Sequence, residues 1–273
     1  MAIGDISLTS GMRNNLLSLQ NTKQLVDQTQ GRLSTGKKVN TPLDNPTNFF
    51  AAQNAMARAD DLSTRKDGMS EAVQMMNAAT AGIKGITALI QSAQGVASSA
   101  AASSDTVQQS AYANTFNTLL SQINQLASDS GYRGTNFLTA GSQTVEFGQR
   151  TGTATLGITG FNATASGLSL ATTSSTNWTS SANIATSSGS LESALTTLRT
   201  QSAAMSANLS VVTTRQSFTD SMINTLQIGA DNLTLADTNE EGANMLMLQT
   251  RQNLGISSLS MASQAAQSVL KLF

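Results

Sequence analysis

A mainly α chain, built as a long helical hairpin or coiled-coil rod with a small β-rich insert at its centre, is what the apolar pattern predicts. Three observations point there. Five stretches carry apolar residues at alternating spacings of three and four, which lays a narrow seam along a helix and demands a partner helix. The two outermost seams lie near the two ends of the 273-residue sequence. Between the inner seams, residues 139–190 draw 22 of 52 positions from Ser and Thr and carry only two charges, Glu146 and Arg150, a composition poor for helix.

The first seam is Met12, Leu16, Leu19, Val26 and Leu33, interrupted by Lys23 and Gln30. Residues 36–46 hold both prolines of the chain, so helix cannot run smoothly through them. Asn45 or Thr47 is then placed to cap a second helix. That helix carries the ladder Leu62, Lys66, Met69, Val73, Met76, Thr80, Ile83, Thr87, Ile90, Gln94, Ala97 and Ala101, eight of the twelve apolar. A polar break at Ser103-Ser104-Asp105 follows, then a seam of Tyr112, Phe116, Leu119, Ile123 and Leu126. Two antiparallel helices joined by a short turn satisfy this order.

Inside the Ser/Thr-rich stretch, residues 144–147 and 155–158 alternate as strands do, and the single Trp178 is expected to pack this insert. From Leu191 the seam returns through Leu195, Leu198, Met205, Leu209, Val212, Ile223, Leu226, Ala230 and Leu233. Uninterrupted, that helix is about 65 Å long at about 1.5 Å per residue. Glu240-Glu241-Gly242 predicts a break, with the two acids at the N-terminus of a final helix. The last seam is Met245, Leu248, Ile256, Leu259, Ala266, Leu270 and Phe273, with a one-residue slip after Gln252.

Composition removes whole classes of chemistry. The chain has no His and no Cys, which excludes disulfides, thiolate redox work, His-dependent Ser triads and structural zinc of the usual Cys/His kind. A net charge of −1, with 11% charged residues, gives no electrostatic case for nucleic acid or an anionic membrane surface. No run of about 18 apolar residues is present, so no membrane insertion is expected. The first residues lack a basic and an apolar signal segment, so export without a cleaved signal peptide is expected. Gly31-Arg32-Leu33-Ser34-Thr35-Gly36-Lys37-Lys38 departs from a phosphate-binding loop at Lys38, where the magnesium-holding Ser or Thr belongs. The adjacent pairs Asp60-Asp61 and Glu240-Glu241 diverge by about 100° on a helix and read as surface charge. No cofactor, metal or catalytic group is expected.

The residues at both ends resemble those of a known family. Arg32-Leu33-Ser34-Thr35-Gly36-Lys37-Lys38-Val39-Asn40, followed by Asp44-Asn45, is similar to the N-terminal signature of bacterial flagellins. Tyr132-Arg133-Gly134-Thr135-Asn136-Phe137-Leu138 resembles the element after the family's second D1 helix. Glu241-Gly242-Ala243-Asn244, Leu254-Gly255-Ile256 and Leu259-Ser260-Met261-Ala262-Ser263-Gln264 resemble its C-terminal signature.

The resemblance implies a structural subunit of the bacterial flagellar filament, secreted and serving motility, with the hook–filament junction protein as the alternative. Residues 1–42 and 236–273 would form the terminal coiled coil D0, residues 43–140 and 190–235 the helical D1, and residues 141–189 a small outer region. The implied partners are further copies of the chain or sister flagellins, the export apparatus and a flagellin chaperone, and the filament cap and junction proteins. The polymer interface would use Met12, Leu16, Leu19, Val26, Leu33, Ile256, Leu259, Ala266, Leu270 and Phe273. The D1 seam would use Leu62, Met69, Val73, Met76, Ile83 and Ile90, then Phe116, Leu119 and Ile123, then Leu198, Met205, Leu209, Ile223 and Leu226. Many family members carry an Arg-bearing segment read by a vertebrate innate-immune receptor. The corresponding residues 89–97 here contain no Arg, which implies weak recognition.

Overall fold

The computed structural model describes residues 10–148, 154–174 and 176–270. Five helices and one hairpin appear in them: α1 (Ser10–Thr35), α2 (Pro46–Ala102), α3 (Thr106–Asp129), β1 (Ser142–Glu146), β2 (Thr155–Thr159), α4 (Ser181–Thr234) and α5 (Thr238–Leu270). The chain is mainly α with a small two-stranded insert. It divides into two compact units, one of Met1–Ala57 with Thr225–Phe273 and one of Arg58–Asn224.

Local chemistry sets the helix ends. α1 stops where Gly36 takes φ +68°, a left-handed conformation that glycine adopts without steric cost. Asn45 caps α2, its Oδ1 accepting the Asn48 N–H at 3.0 Å, and Pro46 occupies the first turn, where its missing N–H removes no helical bond. Asp105 caps α3 by accepting from the Val107 N–H at 2.8 Å. Asp237 does the same for α5, accepting from Asn239 and Glu240, so Glu240 and Glu241 lie within its first turn. The break expected at residues 240–242 therefore falls a few residues earlier.

In the second unit, α2 buries Met69, Ala72, Met76, Ala79, Ile83, Ile86, Ile90, Ala93, Ala97 and Ala100 at unbroken spacings of three and four. α4 contributes a strict seven-residue repeat of buried positions: Ile184, Leu191, Leu198, Met205, Val212 and Thr219. A repeat of seven keeps one stripe on one side of a helix, the condition for side-by-side coiled packing. α3 closes the core with Ala113, Phe116, Leu120, Ile123 and Ala127.

Three ion pairs from one short stretch of α2 fix other parts of this unit. Arg65 pairs with Glu146 of β1, Lys66 with Asp220 of α4 at 2.6 Å, and Glu71 with Arg133 at 2.6 Å. Arg133 and Gly134 both have positive φ and form the centre of a tight turn in which Tyr132 and Thr135 exchange backbone hydrogen bonds. β1 and β2 pair antiparallel, with Val145 opposite Leu156.

Residues 160–174 and 176–180 differ from the β-rich reading. They form an irregular strap laid against α3, with one short 3-10 turn at Asn177–Thr179. The Asn117 amide holds Thr173 at both its N–H and its carbonyl, and Asn124 Oδ1 accepts the Ala165 N–H at 2.8 Å. Trp178 packs on Phe116 of α3, ring centroids 4.8 Å apart, rather than within the hairpin. Helix α4 then begins at Ser181, ten residues before the seam signal. Its polar start is held in the helix by the burial of Ile184 and Leu191, while Thr186, Ser187 and Ser190 satisfy their hydroxyls on carbonyls one turn back.

Candidate assembly surface

In the first unit, α1 and α5 run antiparallel in a constant register. Asn15 Nδ2 donates to Ser258 Oγ at 3.3 Å, Arg32 Nη1 donates to Glu241 Oε1 at 2.9 Å, and Leu19 lies against Gly255. A β-carbon at Gly255 would come within 3.1 Å of Leu19 Cγ, so glycine allows this approach.

The seam on α1 is Met12, Asn15, Leu19, Thr22, Val26, Thr29 and Leu33, all buried or half-buried. On α5 it is Glu241, Met245, Leu248, Gln252, Gly255, Leu259, Ala262 and Ala266, with no slip. Apolar positions repeat every seventh residue along α1 and alternate with Asn15, Thr22 and Thr29. A seam of this kind removes little apolar surface from water, so the pair is weakly held by itself.

The loop between α1 and α2 is tied to the end of α4 and the linker that follows it. Lys38 N–H donates to the Thr234 carbonyl at 2.8 Å, and Ala236 N–H donates to the Gly36 carbonyl at 2.9 Å. Asp44 Oδ2 accepts from the N–H groups of Asn40 and Thr41 and from the Thr41 hydroxyl. Those donors, Thr41 foremost, stabilise the carboxylate and lower its pKa below the ordinary value of 3.8. Leu43, at the tip of this braced turn, is 95% exposed.

The apolar residues that face outward are unevenly distributed. Among the described residues, sixteen large hydrophobic side chains are exposed, and only Val107, Val211 and Phe218 belong to the second unit. The other thirteen sit in the first unit, including Leu16, Leu17 and Leu25 on α1 and Leu246, Met247, Leu254, Ile256 and Met261 on α5. Apolar exposure concentrated in this way on one unit points to an interaction surface.

The sequence-derived interface residues therefore fall on two faces. Met12, Leu19, Val26, Leu33, Leu259 and Ala266 line the seam between α1 and α5, whereas Leu16 (38% exposed) and Ile256 (54% exposed) point away from it. The side chain of Leu270, and Phe273 altogether, lie outside the described residues. Of the residues assigned to the D1 seam, Leu62, Met69, Met76, Ile83, Ile90, Phe116, Ile123, Leu198 and Met205 are buried. Val73, Leu119 and Leu209 pack half-buried against the core cluster, and Ile223 and Leu226 are half-buried.

Reading bulky residues alone missed Asn15, Thr22, Thr29 and Gly255, which are polar or small. It also missed the outward set of Leu17, Leu25, Leu246, Met247, Leu254 and Met261, which fall off the chosen ladders. Among the described residues no three His, Cys, Asp or Glu side chains are grouped to hold a metal, and no helix is long and apolar enough to cross a membrane.

A family model for the bacterial flagellin N-terminal helical region matches residues 6–144. Over the full length of both proteins, the chain is 30% identical to Flagellin FljM and 29% identical to Flagellin FljO of Caulobacter vibrioides. A shorter stretch of 62 residues, 23% of this chain and 19% of the relative, is 37% identical to Flagellin C of Rhizobium meliloti.

Proposed function

The chain belongs to the bacterial flagellin family and is a structural subunit that self-assembles into the extracellular flagellar filament, and from that premise we propose that its two end segments acquire their order as subunits join. The supporting observation is the α1–α5 seam, whose buried positions on α1 are Met12, Thr22 and Thr29. Two of those three are hydroxyl side chains, which contribute little apolar burial against the entropy of fixing two helices. Burial of the outward set against neighbouring copies supplies the missing stabilisation.

In this reading residues 1–42 and 236–273 are the inner layer D0, residues 43–140 and 190–235 are D1, and residues 141–189 form the outer region. Met12, Leu19, Val26, Leu33, Leu259 and Ala266 zip one subunit's ends together, while Leu16 and Ile256, with Leu270 and Phe273, meet neighbours. The chain acts structurally and not as a catalyst. Ends that stay unordered before assembly suit passage through a narrow export apparatus without a cleaved signal, escort by a flagellin chaperone, and placement beneath a filament cap and beyond junction proteins.

The test is deletion of residues 256–273. The shortened protein is expected to remain soluble and helical yet form no filaments by electron microscopy after seeding. Normal filaments from it would refute the proposal.

A further inference from the structure

Between α2 and α4 in the second unit lies a groove of about 430 Å³. Buried Ile83 and Leu198 form its floor, and exposed Lys84 and Arg199 stand over it. Neither cation forms an ion pair among the described residues. No charged residue follows Lys84 on α2, and Glu192, the nearest acid on α4, is about two turns from Arg199. The groove therefore has an apolar floor, hydroxyl-bearing walls at Thr87, Ser202 and Ser206, and two positive charges without an ion-pair partner among the described residues.

A matching feature exists elsewhere on the same unit. Asp60 and Asp67 are exposed, seven residues apart on one face of α2, and neither forms an ion pair among the described residues. The neighbouring cations Arg65 and Lys66 are committed to Glu146 and Asp220. Asp67 and Asp60 lie about 25 and 36 Å from Lys84 along the helix. They also sit about 100–120° away from it around the axis.

We propose that the Lys84–Arg199 groove docks the Asp60–Asp67 face of α2 from a second copy of this chain. The inference rests on the filament role and names one contact that serves it. Donor and acceptor surfaces differ in height and direction, so each copy offers one of each. A contact of that type repeats from copy to copy and does not close into a pair. Opposite charges also fix which neighbour is accepted and in what register.

Charge exchange tests it in the full-length protein. One variant carries Lys84→Glu and Arg199→Glu, a second carries Asp60→Lys and Asp67→Lys, and a third carries all four changes. Because these side chains are exposed, each variant is expected to keep its helicity and the melting of the monomer. Like charges then meet in the first two, and the critical concentration for polymerisation is expected to rise by about tenfold or more. An equimolar mixture of these two, and the fourfold variant alone, are expected to regain assembly.

Wild-type assembly by either charge-reversed variant, or no recovery by the mixture or the fourfold variant when all are folded, overturns the contact and leaves the filament role standing. A wild-type protein that never polymerises under seeding overturns both.

Discussion

Arg32 and Glu241 join α1 to α5 through a 2.9 Å charge-assisted hydrogen bond, and the glutamate is the more buried of the two, 9% exposed against 33% for the arginine. The pair sits at the end of the seam nearest the loop of residues 36–46, so it fixes the register at the point where the two helices begin to run together. A buried ion pair of this kind contributes specificity of alignment more than net stability.

Removing the carboxylate should therefore be costly. Glu241→Ala leaves a half-buried guanidinium without its acceptor, a loss of about 1.5–3 kcal/mol per subunit. If the ends order only in the polymer, calorimetry will show the filament transition falling while the melting of the second unit stays put. An equal drop in the monomer's own transition would contradict the ordering of the ends on assembly.

Trp178 is fully buried against Phe116 and is the only tryptophan in the chain. Trp178→Ala is expected to destabilise the second unit by about 3–5 kcal/mol. Urea unfolding followed by far-ultraviolet circular dichroism will measure it, and an unchanged midpoint would show that the strap is not part of the core.

Two glycines in α2 should respond in opposite directions. A β-carbon at Gly82 would lie 2.5 Å from Leu138 Cδ1 and 2.7 Å from Ser130 Cβ, so Gly82→Ala is expected to destabilise by about 1–3 kcal/mol. Gly68 has nothing within 4 Å, and Gly68→Ala is expected to stabilise by about 0.5–1 kcal/mol through helix propensity. Thermal melts of the two proteins beside the wild type decide the matter.

The loop before α2 should loosen in acid. The N–H and hydroxyl donors at Thr41, with the N–H of Asn40, lower the Asp44 pKa, so its contribution is complete above the ordinary value of 3.8. It fades as pH falls through the lower folded value. Amide exchange at residues 40 and 41 is expected to accelerate over that acid window in the wild type. Asp44→Ala should show fast exchange at neutral pH as well.

The helices were legible in the sequence because bulky residues recur at sevens, and the hairpin because residues 144–147 and 155–158 alternate. Met69, Met76, Ile83 and Ile90 are buried where the ladder placed them, and so are Phe116 and Ile123. The intermediate rung was harder to read. On α2 it is Ala72, Ala79, Ile86 and Ala93 rather than Val73, Thr80, Thr87 and Gln94, and on α3 it is Leu120 rather than Leu119.

The same displacement puts Asn15, Thr22 and Thr29 on the α1 seam in place of Leu16, Lys23 and Gln30. Alanine and threonine are small enough to let helices approach, yet a count of large apolar residues passes over them. On α5 that choice of phase created the apparent slip at Gln252, which disappears once Gly255 replaces Ile256 on the seam. The strap was illegible for a different reason. Its order comes from amides on α3 and from the irregularly spaced burial of Leu168, Leu170 and Trp178, not from any periodicity of its own.

Asn117 and Asn124 grip the strap by main-chain atoms, never by a side chain of the strap. The fastening at Thr173 is therefore indifferent to which side chain stands there, provided the path of the peptide is kept, whereas Ala165 is held small by its burial in the core. Outward-facing positions such as Ser166 and Thr172 can drift, acquire charge or lengthen while the helices beneath stay the same. A surface met by the surroundings is thereby free to diversify without disturbing the framework that carries it.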